Sequence, residues 1–218
     1  MSRGRGTLGD VKINQLEDRP VRADARRNRE KVLRAAREAF AEEGADVQMD
    51  SVAHRAGVGV GTLYRHFPTK HALMAEIIRQ WLADRLAIAE HAHTIEDPSA
   101  ALRFVIHQSA KLFYEHAGLR NAFAELNAAN ICPTESIVLR NSLAAIIHRA
   151  REAGAIRENI DVDGFLSLLC GLSASISAGA PWRCSADVLA AGLAPGAPGR
   201  HTELCGSRAG NRLKERNL

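Results

Sequence analysis

Sustained alternation of apolar and polar residues is missing from this chain of 218 residues. That absence argues against half-buried strands, and with them sandwiches and barrels. Aromatic residues are scarce, with two Trp, two Tyr and six Phe, so aliphatic side chains must fill most of the core. The four cysteines, Cys132, Cys170, Cys184 and Cys205, show no C-x-x-C spacing. They suggest neither a zinc site nor a disulfide framework. No run of about 18 apolar residues occurs, so no membrane span is expected. The first twenty residues are polar and basic with no apolar stretch. No signal peptide is therefore expected, and the cytoplasm is the expected location.

Signs of catalysis are missing too. The chain carries no Gly-x-Ser-x-Gly, no phosphate-binding glycine loop and no obvious nucleophile–base pair. An enzyme built on a helical bundle is not expected, nor is a cofactor. His91, His93, His107, His116 and His148 are spaced so that no three share a helix face, and no metal is expected.

Helical periodicity is what the sequence has in abundance. In residues 24–43, Val32, Leu33, Ala36, Ala39 and Phe40 recur at helical spacing, with Asp24 as N-cap and Gly44 as C-cap. Short helices follow at 49–56, ended by Gly57, and at 60–66, closed by Phe67-Pro68. Thr69 caps a longer one over about 70–90, where Leu73, Ile77, Ile78, Leu82 and Leu86 form the apolar side. Asp97-Pro98 opens a helix to about His116. Further helices are expected at 119–129, from Pro133 or Thr134 to about Ala153, from Asp161 or Asp163 to about Ala178, and at 185–193. The fold class is all-α, with about eight or nine helices.

The ends differ from the middle. Residues 1–22 read as a disordered basic arm, and 195–218, rich in Pro and Gly and then basic, as a disordered tail. The first 86 residues hold 16 Lys and Arg against 12 Asp and Glu, while the remaining 132 hold 13 of each. The positive excess at one end suggests a polyanion partner.

Residues 49–67 have the layout of a helix-turn-helix. Gly57 supplies the positive φ of the turn, Ala53 and Ala56 allow close crossing, and Val52, Val58 and Leu63 face inward. The series Ala53-His-Arg-Ala-Gly-Val58 followed by Gly61-Thr-Leu-Tyr-Arg-His-Phe-Pro-Thr-Lys-His-Ala-Leu73 resembles the DNA-binding region of the TetR family of bacterial regulators. The likeness covers residues 25–86, beginning with Arg29-Glu-Lys-Val-Leu-Arg-Ala-Ala-Arg-Glu-Ala-Phe40.

The resemblance implies a helix-turn-helix domain at 23–70, a linking helix at 70–90 and a ligand-binding and dimerisation domain at 90–194. It implies that double-stranded DNA, a small-molecule effector and a second copy of the chain are partners. Val60 and Gly61 would stand at base edges, with Val60 against a thymine methyl. Tyr64, Thr62 and His66 would contact the backbone, Arg65 a phosphate or base, and Lys70 a phosphate at a helix N-terminus. The chain departs from the family at Gln48, often Thr, and at Gly59, often Ser; neither residue brings the hydroxyl the family often has there, which bears on one phosphate contact per subunit. Phe104, His107, Phe113, Phe123, Asn127 and Trp182 are the candidate pocket lining. The function implied is a ligand-released repressor on a palindromic operator. The alternative is an activator or DNA organiser without a ligand.

Overall fold

The computed structural model describes residues 14–119 and 131–196. Among the described residues every regular element is helical. Among the described residues eight α-helices have both ends defined: α1 (Asn14–Glu43), α2 (Met49–Ala56), α3 (Val60–His66), α4 (Lys70–His93), α5 (Pro98–Glu115), α6 (Pro133–Glu152), α7 (Val162–Ser177) and α8 (Trp182–Leu193). Short 3₁₀ turns lie at Gly44–Asp46 and Ala117–Leu119.

Three of the expected caps close as side-chain hydrogen bonds. Thr69 Oγ1 accepts from the Ala72 N–H at 3.0 Å. The Asp97 carboxylate accepts from Ser99 at 3.0 Å and Ala100 at 3.1 Å. Asp161 Oδ1 accepts from Gly164 at 2.8 Å, which decides between Asp161 and Asp163. Each satisfies donors that a helix start leaves unpaired.

Two expectations are corrected at the N-terminus. Residues 14–22 are the opening turns of α1 rather than part of an arm, and Asp24 lies inside the helix, where it pairs with Arg27 instead of capping. Asn14–Arg19 are mostly good helix formers, and the helix runs on through Pro20 although proline removes a hydrogen bond there. The last helix starts at Trp182, three residues before the expected start, with Pro181 at its N-cap. The expected helix at 119–129 and the tail beyond Gly196 lie outside the described residues, as does the arm before Asn14.

A continuous apolar core joins the helices. Val32, Ala36, Ala39 and Phe40 of α1 meet Val52, Ala53, Leu63 and Phe67, and Leu73, Ile77 and Ile78 of α4. Further along, Ile106 of α5, Leu143 and Ile146 of α6, Phe165 and Leu169 of α7, and Ala186 of α8 continue it. Helix α4 thus serves both halves. It packs on α1 in the first half and on α5 and α6 in the second. Arg149 of α6 holds the far end, donating to the carbonyls of Ala92 at 3.1 Å and His93 at 3.4 Å, a favourable place for a cation.

Candidate nucleic-acid interface

Helix α2 ends because Gly57 adopts φ +64°, the left-handed conformation that glycine enters at little cost. The Val58 N–H then returns to the Ala53 carbonyl at 3.1 Å, a C-terminal cap that turns the chain at once. Gly59 is extended, and its carbonyl accepts from Thr62 at 2.8 Å and Leu63 at 3.1 Å to start α3. Phe67 closes α3 by donating to the Leu63 carbonyl at 2.8 Å. Two short helices are thereby held in a fixed relation by backbone bonds and one buried seam.

The seam separates the faces of α3. Leu63 is fully buried and Phe67 nearly so. Val60 and Tyr64 point outward, 41% and 43% exposed, beside exposed Gly61 and Arg65. Thr62, His66 and Lys70 are half-buried. A Cβ at Gly61 would meet nothing within 4 Å, and its φ is not in the left-handed region. Nothing within the described protein requires glycine there.

A concave surface of about 560 Å³ lies beside this face, lined by Val47, Gln48, Met49, Asp50, Tyr64, Thr69 and Lys70. It brings together three of the residues singled out from sequence, Gln48, Tyr64 and Lys70, and sets them where α2 and α4 both begin. Helix starts present unpaired N–H groups and a partial positive charge, which suit an anion. Gln48 stands at the N-cap of α2 without capping it. Its Nε2 instead donates to the Asp46 carbonyl at 2.9 Å.

Several of the arginines in the basic first part of the chain serve structure. Arg29 reaches Glu76 of α4 at 2.6 Å and lies 5.6 Å from the centre of the Phe67 ring. Arg37 pairs with Gln80. Arg55 of α2 bridges Glu42 and Glu43, both at 2.6 Å. The sequence reading missed this, because a helical wheel shows which face is charged but not which helix it meets.

Among the candidate pocket residues, Phe104, His107 and Phe113 lie on α5 and Trp182 opens α8, which packs on α5. Phe104 packs its ring 4.7 Å from His91, while His107 sits 3.2 Å from Asp187 of α8. Phe113 is buried against Arg85, and Trp182 is half-buried with Arg183 over its ring at 5.0 Å. Phe123 and Asn127 lie outside the described residues. Among the described residues no three His, Cys, Asp or Glu could hold a metal, and no helix is long and apolar enough to cross a membrane. Burial, with the positive charge of Arg37, holds His116 below its ordinary 6.5.

Known proteins resemble both halves. Residues 32–77 match the description "Bacterial regulatory proteins, tetR family", and residues 97–195 match "Transcriptional regulator SbtR-like, C-terminal domain". An HTH-type transcriptional regulator of Staphylococcus aureus (strain USA300) is 39% identical over 61 residues, 28% of this chain and 33% of that protein. The match thus spans about a third of the length of such curated relatives. Similarity to solved structures reaches further. A TetR transcription regulatory protein from Mycobacterium vanbaalenii is 33% identical, covering 80% of this chain and 99% of that one, with a TM-score of 0.55. A TetR transcriptional regulator from Streptomyces coelicolor is 29% identical, covering 78% and 99%, with a TM-score of 0.56. The helix-turn-helix, the linking α4 and the helical second half all agree with these relatives, and the chain belongs to the TetR family as a transcriptional regulator with a DNA-binding domain.

Proposed function

We infer that the protein is a cytoplasmic repressor that binds a palindromic operator as a homodimer and is released by a small molecule. The observation that carries this reading is the outward face of α3 standing beside the surface where Gln48, Tyr64 and Lys70 meet two helix starts. Helix α3 enters the major groove, with Val60 against a thymine methyl and Gly61 letting the backbone approach. A glycine inside a helix costs about 0.5–1 kcal/mol against alanine. With open space around Gly61 in the free protein, a closely approaching partner accounts for it.

Tyr64 gives the backbone a hydroxyl and a ring edge. Thr62 and His66 bond phosphates, Arg65 reaches a phosphate or a base, and Lys70 meets a phosphate with the N–H groups of α4. Gln48 contributes through its amide rather than a hydroxyl.

The outer faces of α7 and α8 support dimerisation. Leu168, Gly171 and Ser175 of α7 are exposed, as are Cys184, Val188 and Ala191 of α8, with Val188 at 67%. Small side chains allow close helix approach, and two copies would place their reading helices about 34–36 Å apart, one turn of DNA. An effector that prefers a conformation with a different spacing lowers operator affinity by population shift.

The test is operator binding, by footprinting of the DNA flanking the gene and then by titration. Tyr64→Ala and Lys70→Ala should each weaken specific binding about 10-fold or more, and Lys70→Ala should reduce the slope of log affinity on log salt by about one. Unchanged specific affinity in both variants refutes the site. Release of the complex by no member of a broad metabolite set favours the activator or organiser reading instead.

A further inference from the structure

Four described arginines are drawn partly out of solvent: Arg29, Arg37, Arg85 and Arg149. Three have oxygen acceptors. Arg29 has Glu76, Arg37 has Gln80, and Arg149 has the carbonyls of Ala92 and His93. Arg85 has none among the described residues, and its Nε is inaccessible to solvent without a hydrogen-bond partner.

Its surroundings are apolar. The guanidinium lies 4.7 Å from the centre of the Trp81 ring, one turn earlier on α4, and 5.8 Å from that of Phe113 on α5. Stacking on two rings returns part of the lost hydration. It leaves the guanidinium hydrogen-bond donors without a counter-charge. Burial pushes the group down to about 10, so it stays cationic at neutral pH. A charge drawn partly out of water without an acceptor is costly and seldom kept without a partner.

We propose that Arg85, between the rings of Trp81 and Phe113, receives the carboxylate of an apolar organic acid, and that this acid is the effector. The identification of an effector rests on the regulatory reading above; the anion site does not. One guanidinium fork matches one carboxylate in a bidentate pair. No second cation stands beside it among the described contacts, which favours a monoanion over a phosphate dianion. The two rings suit an apolar body on the acid. Arg85 is also placed to transmit binding. It lies on the same helix as Lys70, about 22 Å further along the axis, so a pull on Arg85 acts on the element that opens at the DNA-facing surface.

The experiment uses the full chain labelled with ¹⁵N in arginine. The Arg85 Nε–H resonance is identified by its loss in Arg85→Lys. The protein is titrated with straight-chain and aryl monocarboxylates from acetate to decanoate, and with the matching alcohols and phosphate monoesters. Carboxylates are expected to move this resonance and to bind about 10–100-fold more tightly than their alcohols, the usual worth of charge-assisted bonds. Arg85→Met should erase that difference and Arg85→Lys should keep part of it. If Arg85→Met does not unfold cooperatively, Arg85→Lys and the alcohol comparison decide. The site is overturned if no carboxylate in the set moves the resonance, if alcohols bind equally, or if phosphate monoesters bind more tightly. Operator binding is read separately. An acid that binds at Arg85 yet leaves the operator complex intact overturns its role as effector. Acid binding by a protein with no specific affinity for DNA overturns the regulatory function and leaves the anion site standing.

Discussion

Replacing Glu76 by Gln would release the junction between the linking helix and the DNA-facing half. The Glu76 carboxylate is 2.6 Å from Arg29 of α1 and 2.7 Å from Arg79, and its side chain is only 18% exposed. Arg29 passes on to the Phe67 ring, so one carboxylate ties α1, α4 and the residue that ends α3. Glutamine keeps the shape and can accept a hydrogen bond, but it loses the charge. Hydrogen bonds to charged groups contribute about 1.5–3 kcal/mol when shielded, and exposed ion pairs about 0.2–1 kcal/mol. Arg29 is 38% exposed, and Arg79 keeps Glu135 at 3.0 Å. The expected loss is therefore about 1–2 kcal/mol, or about 3–6 °C in Tm for a chain of this size.

The pH dependence gives the sharper check. Burial alone would push the Glu76 carboxyl up, but Arg29 and then Arg79 outweigh it and hold it below its ordinary 4.5. A group depressed in the folded state stabilises fully above its unfolded value and ceases to do so as pH falls through its folded value. Melting followed by circular dichroism should show a constant gap between wild type and Glu76→Gln near neutrality. The gap should close below about pH 4. Equal melting temperatures at neutral pH, or a gap that persists unchanged into acid, would refute the reasoning.

Three further outcomes are expected. Gly57→Ala should cost about 1–2 kcal/mol, because φ +64° strains any Cβ while no neighbour within 4 Å adds a clash; chemical denaturation measures it. Leu63→Ala, fully buried, should cost about 2–5 kcal/mol, whereas Tyr64→Ala one residue on should change stability by less than about 1 kcal/mol and act on DNA binding instead. Val188→Asp should leave the melting temperature of the monomer nearly unchanged, given its 67% exposure, but make the protein monomeric in light scattering and weaken operator binding; a dimer that survives places the interface elsewhere.

The local layout was legible because its signals are local. Thr69, Asp97 and Asp161 are capping residues whatever surrounds them, and Gly57 tolerates the left-handed turn in any fold. Leu63 could be assigned inward from the layout of the two short helices, while the outward place of Val60 and Tyr64 came from the family resemblance. The start of α1 was not legible. Asp24 as a candidate N-cap argued for a boundary there, and propensity before it carried the helix from Asn14 through Pro20 instead.

What the sequence alone determined is the helical class, the helix-turn-helix and the split of α3 into a buried and an exposed face, since all three follow from short stretches of sequence. Only the tertiary structure decided which charges have partners. In sequence Arg29, Arg85 and Lys70 are three basic residues on two helices. Folding gives Arg29 to Glu76, sets Lys70 beside Gln48 and Tyr64, and leaves Arg85 between two rings with no described acceptor. The interaction of a charge depends on distance and on how much water remains around it, and for residues on different helices both are set by packing.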